Sequence, residues 1–486
     1  MGFIAALISK TGADVSTQVL RMLRAASPTP GDGYASATPD GVRFLSSLPD
    51  SPAFQSEVAL GHKLVKIMPN DPPQPVSQRG YTILFEGRIW GRSKPSDLSA
   101  AADLVGEDPA RGIRRLIEGE DGSYAVAIAE QGRVLCGRDP VGVVPLYIGE
   151  SETLAGAASN RKMLWRAGIE AEPLPPGCMA ELTVRGVRLH RIRSLRQPPV
   201  QAMRMEEAVA ALCALLSEAV EARCRGVLSV SLGFSGGIDS SLLAHYLHRC
   251  GADVDLICVG VEGSSEFEAA DEAAESLDLP IRFESFTPGE VEEDLDEVLR
   301  SVEEPDPMKV SVALPLRWAA RSAARYGSRV FHSGNGSDEL FGGYLKYVRE
   351  YAAAGDAVRD TMFRDVTAAH TVNYERDYKI CADAGVELRL PFSDMKLVEF
   401  GLALPLELRL PADEGSPRKP LLRALAKKIG LPDAVASRRK RAIQYSTGVS
   451  RTLRKLARRE GKTLPLYLAE RFGRVKEKCL ERRARP

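Results

Sequence analysis

Strand-like and helix-like segments alternate between residues 227 and 332, and this alternation restricts the fold more than any other feature of the chain. The strand-like runs are Val227–Phe234, Asp255–Val261, Ile281–Ser285 and Arg329–His332. The helical patterns between them are Leu242–Arg249, Glu268–Leu277, Val291–Val302 and Leu314–Arg325. Such alternation predicts an α/β domain in which helices cover both faces of a parallel sheet.

The part of the chain before residue 195 has a different pattern. It contains short β-type runs separated by Pro and Gly, such as Phe3–Ile8, Tyr81–Phe85, Tyr124–Ile128, Arg133–Leu135 and Met179–Val184. This spacing predicts a mostly antiparallel, sandwich-type sheet system with few helices, which belongs to the α+β class. A length of 486 residues favours two domains. We place the boundary at Pro198–Pro199 and predict domains at 1–195 and 200–486, the second ending in a helical part.

Composition excludes several classes of protein. Lys plus Arg and Asp plus Glu both number 65, so the net charge is zero, which argues against a surface built wholly for a polyanion. Bases outnumber acids after Arg438, and we interpret this region as a solvated helical face. The eight cysteines include no CxxC pair, which is typical of a reducing compartment. Without a run of about twenty uncharged apolar residues, we expect a soluble cytoplasmic protein with no membrane partner.

The segment Phe234–Ser241 has the character of a phosphate-binding loop, because it follows an apolar strand and opens a helix. Its two glycines allow a tight turn that presents backbone N–H groups: Gly236 and Gly237. Its serines add hydroxyl donors: Ser235, Ser240 and Ser241. The helix N-terminus also favours an anion. Asp239 has the wrong charge for a phosphate unless a cation intervenes, and Mg²⁺ binds carboxylate and phosphate oxygens together.

A second loop, Ser333–Tyr344, follows the strand Arg329–His332 and carries Asp338. The carboxyl ends of parallel strands share one edge of the sheet, where ligands bind in open α/β folds. Two loops at that edge, each with one aspartate, could hold a triphosphate through a metal ion. The sequence therefore predicts Asp239 and Asp338 as Mg²⁺ ligands beside a bound triphosphate.

Together these loops resemble the synthetase domain of the asparagine synthetase family, which is related to the β-lactam and carbapenam synthetases. The resemblance extends over Gly385–Asp394, Arg418–Arg423 and the stretch from Leu431 to Lys440. It implies cleavage of ATP to AMP and pyrophosphate. It also implies a pyrophosphate site formed by Ser235, Gly236, Gly237, Asp239, Ser240 and Ser241. The adenosine pocket would be lined by Val259, Gly260, Ser333 and Gly334. Lys440 would stabilise charge on the phosphate or on the developing oxyanion.

The N-terminal part resembles the class II glutamine amidotransferase domain of the same family. The similar segments are Phe85–Ile89, Asp121–Ala127 and Gly137–Tyr147. Three departures occur at its glutaminase site. Met1 stands in place of the nucleophilic Cys, the glutamine-binding Arg falls on Leu64, and the oxyanion Asn falls on Glu86. We therefore predict an inactive glutaminase, so that ammonia or an internal amine is the nucleophile.

Two departures also occur in the synthetase part. Asn335 stands where asparagine synthetases have Glu and β-lactam synthetases have Tyr. An amide is no general base, but it could orient an acyl-adenylate or a nucleophile, so Asn335 joins Lys440 as a catalytic candidate. The segment Glu303–Ser311 occupies the region that usually presents an Arg to the substrate. Either Lys309 replaces that charge or the substrate differs.

Of four candidate functions, two agree with these patterns. The first is an ammonia-using asparagine synthetase, which converts aspartate, ATP and ammonia to asparagine, AMP and pyrophosphate. The second keeps the adenylation but acts on another carboxylate or an internal amine. A non-catalytic ATP-binding scaffold conflicts with the Asp239–Asp338 pair and Lys440. A tRNA-modifying ATP-pyrophosphatase conflicts with the neutral charge. We expect small-molecule partners, no nucleic acid, and a homodimer as a candidate assembly.

Overall fold

A computed structural model of the chain describes residues 1–39, 41–91, 96–264, 266–438 and 443–481. The chain divides into two compact units. The first comprises Met1–Leu195 together with the residues from Arg471 onward, and the second comprises Arg196–Glu470. Among the described residues, no helix combines the length and apolar character that crossing a membrane requires.

The strands of the first unit form two antiparallel sheets. They are β1 (Gly2–Ser9), β2 (Gly33–Thr38), β3 (Gly41–Leu45), β4 (Val58–Leu64), β5 (Val76–Gln78), β6 (Tyr81–Ile89), β7 (Gly122–Glu130), β8 (Arg133–Arg138), β9 (Tyr147–Glu150), β10 (Leu154–Ala158), β11 (Glu172–Pro173), β12 (Cys178–Thr183) and β13 (Gly186–Arg191). Within the described part of the chain, one sheet has the order β11-β9-β10-β1-β4-β2-β3 and the other β13-β12-β8-β7-β6-β5. The predicted antiparallel α+β architecture is confirmed.

Helices cover the outer faces of these two sheets. They are α1 (Ser16–Ala25), α2 (Asp97–Val105), α3 (Pro109–Gly119) and α4 (Arg161–Arg166). Helix α1 packs on β1 and β4, whereas α2 and α3 pack on the second sheet. Side-chain caps start two of the helices, because Ser96 accepts from Ser99 N and Asp108 accepts from Arg111 N. Strand β1 is therefore buried on both faces, which explains its continuous apolar sequence.

The second unit contains a parallel sheet surrounded by helices. Its strands are β14 (Ser229–Gly233), β15 (Asp253–Val261), β16 (Ile281–Phe286), β17 (Val330–His332) and β18 (Glu387–Arg389). The helices up to β18 are α5 (Met205–Cys224), α6 (Ile238–Arg249), α7 (Glu266–Glu275), α8 (Pro288–Val302), α9 (Pro307–Arg325), α10 (Ser337–Phe341), α11 (Leu345–Ala354), α12 (Val358–Ala369) and α13 (Glu375–Ala384). A π-helical turn, His370–Tyr374, joins α12 to α13.

The remainder of the described chain is helical. It contains α14 (Met395–Ala403), α15 (Leu406–Arg409), α16 (Pro420–Lys428), α17 (Asp433–Ser437), α18 (Ile443–Ser446), α19 (Val449–Arg459) and α20 (Leu464–Glu481). Short 3₁₀ turns lie at Gly355–Ala357 and Pro391–Ser393. The predicted parallel-sheet α/β class with a helical C-terminal part is thus confirmed.

The strand order β16-β15-β14-β17-β18 creates a switch point in the sheet. From β14 the chain moves outward through β15 to β16, then returns to place β17 on the other side of β14. The loops after β14 and β17 therefore leave the same edge in divergent directions, and a crevice opens between them. In open α/β sheets this is the position where ligands bind.

Two boundaries differ from the sequence predictions. Helix α9 begins at Pro307 rather than Leu314, because Asp306 accepts from Lys309 N as the helix cap and Pro307 suits the first turn. The second unit ends at Glu470, short of the predicted 200–486 range. The last turns of α20 pack in the first unit, where the rings of Trp165 and Phe472 lie 6.4 Å apart and Lys476 lies over Trp165.

A buried histidine makes the first unit sensitive to acid. His62 in β4 is 1 % exposed, and burial lowers its pKa to about 3 from the ordinary 6.5. The unfolded chain therefore takes up a proton at a pH where the folded chain does not, so stability falls as the pH drops from 6.5 toward 3. We expect His62 alone to lower the free energy of unfolding by about 2 kcal/mol as the pH falls from about 7.5 to about 5.

Hydrogen exchange of the β4 amides, corrected for intrinsic rates, measures this loss. His62→Leu, which cannot be protonated, should remove the acid-dependent part, whereas His190→Leu at a partly exposed position of the same unit should retain it. An unchanged pH slope in His62→Leu would contradict the assignment.

Candidate active site

The phosphate loop of the second unit lies between β14 and α6, at the switch point. Ser235 Oγ accepts from Gly237 N at 3.3 Å, and Ser240 Oγ donates to Gly237 O at 3.1 Å, so the loop is closed by its own serines. Gly236 has φ +63°, and a methyl group there would lie 2.4 Å from Ala269 O. Glycine is required at this turn for both reasons. Ser241 is completely buried.

Helix α6 follows directly and directs its N-terminus toward the loop. Its first turn carries Asp239, and its N-cap is Gly237 without a side-chain cap. The first N–H groups of a helix have no partner within the helix, and they carry a partial positive charge that attracts anions. The loop and helix together therefore provide backbone donors of the kind that bind phosphate.

The second loop approaches the first through direct contacts. Ser337 Oγ donates to Asp239 Oδ1 at 2.6 Å. A methyl group on Gly334 would lie 3.0 Å from Asp239 Cβ, so the small residue allows this approach. Gly336, with φ +94°, then starts α10, which carries Asp338 in its first turn. The structure thus brings both predicted metal ligands to one edge of the sheet, and their role as ligands stays a prediction.

A buried lysine joins the two aspartates. Lys419 Nζ donates to Asp239 Oδ1 and Oδ2 at 2.6 and 2.7 Å and lies 2.6 Å from Asp338 Oδ1. It also donates to Ser337 Oγ at 3.0 Å. The Lys419 side chain is 1 % exposed. Lys419 belongs to the motif Arg418–Arg423, to which the sequence prediction assigned no role in the site. That motif is the sequence feature from which Lys419 could have been identified.

These residues fit a magnesium ion. Both carboxylates contact the same Nζ atom, so their oxygens converge on one position from two loops. Mg²⁺ prefers oxygen donors and is commonly held by one or two carboxylates plus phosphates and water. In the described ranges, no group of three or more His, Cys, Asp or Glu side chains forms a metal-binding cluster. A magnesium ion here would therefore be shared between Asp239, Asp338 and the phosphates of the nucleotide.

Asn335 is oriented by a buried acid that sequence reasoning missed. Its Nδ2 donates to Asp377 Oδ2 at 2.5 Å, and its Oδ1 accepts from Gly336 N at 3.0 Å. Asp377 is 3 % exposed and forms an ion pair with Arg376 at 2.7 Å. Because both ends of the Asn335 amide are engaged, its orientation is fixed. No local sequence signal identified Asp377, which lies 42 residues away in α13.

Glu339 is a second buried acid beside the site. Its Oε1 accepts from Tyr344 OH at 2.6 Å and from Asn373 Nδ2 at 2.8 Å. The π-helical turn His370–Tyr374 supplies Asn373, and such turns are frequent near functional sites. Burial raises the pKa of the Glu339 carboxyl, and the charge of Asp338 raises it further. Glu339 thus links α10, which carries Asp338, to the π-helical turn.

The remaining candidates lie around this centre. Val259 and Gly260 are near the carboxyl end of β15, and Ser333 and Gly334 follow β17. Arg438 Nη1 donates to Gly236 O at 3.4 Å and to Ala269 O. Lys440 lies outside the described residues. The adenosine and oxyanion assignments stay predictions.

The ammonium of Lys309 forms an ion pair with a carboxylate of the same segment. Lys309 Nζ lies 2.5 Å from Glu304 Oε2, and Ser311 Oγ donates to Pro307 O at 2.6 Å. These contacts hold the start of α9 together. They give no sign that Lys309 replaces an arginine as an anion anchor.

The first unit lacks the side chains of a glutaminase at the corresponding positions. Leu64 ends β4 and is buried, and Glu86 lies buried in β6. Arg88, two residues further, is paired with Asp71 at 2.7 Å and with Asp97 at 3.2 Å. The guanidinium of Arg88 in β6 is therefore paired with two protein carboxylates.

Comparisons with known proteins are consistent with the architecture. A family model described as "Asparagine synthase" matches residues 211–356 and 350–482. A Methanocaldococcus jannaschii protein named putative asparagine synthetase [glutamine-hydrolyzing] 1 is 31% identical over 394 residues, covering 71% of this chain and 72% of the relative. A Dictyostelium discoideum protein named probable asparagine synthetase [glutamine-hydrolyzing] is 28% identical and covers 71% of this chain.

The chain spans 65% of the length of the Dictyostelium relative. Among solved structures, a glutamine phosphoribosylpyrophosphate amidotransferase from B. subtilis is similar with a TM-score of 0.35 and 14% identity, covering 58% of this chain and 65% of that one. A likeness of that size supports no conclusion about function.

Proposed function

Because the chain belongs to the asparagine synthetase family, we propose that it uses Mg-ATP to activate a carboxylate as an acyl-adenylate, which an amine then converts to an amide. The observation that carries this proposal is the meeting of Asp239, Asp338 and Lys419 beside the phosphate loop. The two carboxylates and the ammonium lie at the N-terminus of α6. The first N–H groups of this helix face the phosphate loop and can bind an anion.

The residues of the chain have separate roles in this proposal. The backbone of Gly236 and Gly237 and the N-terminus of α6 bind the β- and γ-phosphates, and the substrate carboxylate attacks the α-phosphorus, so pyrophosphate leaves. Asp239 and Asp338 would hold a magnesium ion, which would supply positive charge beside the leaving pyrophosphate. Lys440 stabilises charge at the reacting centre, as predicted from the resemblance. Asn335 orients the adenylate or the amine.

Aspartate is the first candidate for the carboxylate and ammonia for the nitrogen source. Support for ammonia comes from Leu64 and Glu86, which stand at the positions that the resemblance assigns to the glutamine-binding Arg and the oxyanion Asn. The two relatives are named as glutamine-hydrolysing, whereas we propose ammonia as the nitrogen source for this chain.

Pyrophosphate release by the purified chain tests the nitrogen source. With Mg-ATP and aspartate, we expect release with ammonium and only background release with glutamine. Equal release with glutamine would contradict the inactive glutaminase. The AMP produced should match the pyrophosphate, which distinguishes this reaction from ATP hydrolysis to ADP.

A second candidate is the same adenylation on another carboxylate or on a substrate with an internal amine. Two observations favour it: Asn335 replaces the Glu of asparagine synthetases, and Lys309 is neutralised by Glu304. A panel of amino-acid and N-substituted amino-acid carboxylates in the same assay separates the two candidates. Release with a panel member but not with aspartate would favour the second.

Asn335 gives a prediction that separates orientation from nucleotide binding. We expect Asn335→Ala to lower kcat by about 10–100-fold and to leave KM for ATP within about twofold, because the amide acts on the acyl group or amine and not on phosphate. Asn70→Ala, at an exposed position, is the matched control. A rise in KM for ATP with unchanged kcat would contradict this role.

A further inference from the structure

We propose that Lys419 occupies the divalent-cation site of the nucleotide-free protein, so that the cation binds only together with the nucleotide. This inference rests on the proposed function insofar as Asp239 and Asp338 are the cation ligands. It goes beyond that function, because it concerns the order in which charges enter the site. The observations that carry it are the contacts and burial of a single ammonium group.

The ammonium of Lys419 engages the oxygens that a cation would need. It donates to both oxygens of Asp239 and lies 2.6 Å from Asp338 Oδ1. Ser337 Oγ, at 3.0 Å, completes its surroundings. A lysine ammonium has three donors, and the hydrogen bonds to Asp239 and Ser337 use all three, while Asp338 contributes an ion pair. With the Lys419 side chain 1 % exposed, water contributes little to its solvation.

The backbone around Lys419 is fixed, so the side chain is the part that can move. Lys419 has φ +63° and is followed by Pro420 at the start of α16. Arg418 Nη1 donates to Gly343 O at 2.7 Å, and Arg423 Nε donates to Arg418 O at 2.5 Å. Both bonds anchor Arg418, the residue directly before Lys419. The four-carbon stem of a lysine nevertheless allows Nζ to change partners without movement of the backbone.

Electrostatics then opposes binding of a free cation. A divalent ion entering between Asp239 and Asp338 must displace the ammonium from these two carboxylates, and a buried unpaired charge is costly. It must also approach another positive charge at short range in a poorly solvated site. Binding of the cation alone is therefore disfavoured.

A nucleotide removes this obstacle. Its phosphates bind at the N-terminus of α6, next to Asp239, and offer new anionic acceptors to Lys419 Nζ. The ammonium can move from carboxylate to phosphate while the cation takes its place on the carboxylates. Every charge keeps a partner of opposite sign throughout the exchange. The cation and nucleotide accordingly bind with positive coupling, and each raises the affinity for the other equally.

Binding of Mn²⁺ alone to the full chain tests this inference, with free Mn²⁺ measured by its electron paramagnetic resonance signal. We expect no stoichiometric binding to the unaltered chain below about 1 mM Mn²⁺ in the absence of nucleotide. Lys419→Met should bind one Mn²⁺ at least about tenfold more tightly than the unaltered chain. Lys419→Met combined with Asp338→Asn should lose that site. Lys427→Met, at an exposed position in the same helix, should behave as the unaltered chain.

The unaltered chain alone can overturn the inference, so the test does not depend on the folding of Lys419→Met. One tightly bound Mn²⁺ without nucleotide that Asp338→Asn abolishes would show that the ammonium does not exclude the cation. The measurement requires no carboxylate substrate and no turnover. A failure here with normal AMP and pyrophosphate formation would therefore refute the role of Lys419 and leave the proposed function intact.

Discussion

Replacement of Asp338 by asparagine is expected to lower ATP-dependent pyrophosphate release by about 10³-fold. The substitution keeps the shape of the side chain but removes one of the two negative charges that contact Lys419 Nζ. Lys419 keeps its bonds to Asp239, so the second unit should retain its fold. Initial rates at saturating Mg-ATP, with circular dichroism as the check on folding, measure the effect.

Asp356→Asn provides the matched control, because Asp356 is exposed in the same unit and takes no part in the site. Its rate should remain within about twofold of the unaltered chain. If Asp338→Asn retained more than about a third of the original rate while folded, Asp338 would not be a metal ligand in the reaction.

Gly343→Ala is expected to reduce pyrophosphate release by about 10²-fold, through displacement of the same carboxylate. A methyl group at this position would lie 1.8 Å from Asp338 Oδ1 and 2.6 Å from Lys419 Cε. These distances are far below van der Waals contact, so the carboxylate and the lysine must move. Overpacking of this kind also costs about 1–3 kcal/mol of stability. Activity and urea unfolding of the purified variant give the two effects separately.

Gly289→Ala is the control for the added methyl group. That methyl would meet only Thr287 Oγ1, at an ordinary 3.7 Å, at the exposed start of α8. It should leave both rate and stability nearly unchanged. A folded Gly343→Ala variant with full activity would mean that the position of Asp338 against Lys419 does not matter for the reaction.

The sheet of the second unit was predictable because its signals are local. Each predicted strand between Val227 and His332 overlaps a strand of the structure, since most of these strands carry buried apolar runs bounded by turn residues. The meeting of Asp239 and Asp338 also followed from topology, because loops after neighbouring parallel strands leave one edge. Helix α9 was predicted too short because its start depends on the Asp306 cap rather than on apolar periodicity.

The partners that complete the site come from distant parts of the chain. Lys419 contacts an aspartate 180 residues earlier, and Asp377 binds an asparagine 42 residues earlier. Neither contact leaves a pattern in the local sequence, since each depends on how α16 and α13 pack beside the sheet. The end of α20 illustrates the same limit, because its packing beside Trp165 in the first unit reflects tertiary contacts that periodicity does not encode.

Transfer of an oxygen isotope tests whether a carboxylate attacks the α-phosphorus of ATP. Aspartate labelled with ¹⁸O in its side-chain carboxylate is incubated with the chain, Mg-ATP and ammonium, and the nucleotide products are examined by mass spectrometry. We expect AMP that carries one ¹⁸O atom, with unlabelled pyrophosphate, because the amine displaces AMP together with the carboxylate oxygen. Formation of ADP with labelled phosphate, or of AMP without label, would contradict it.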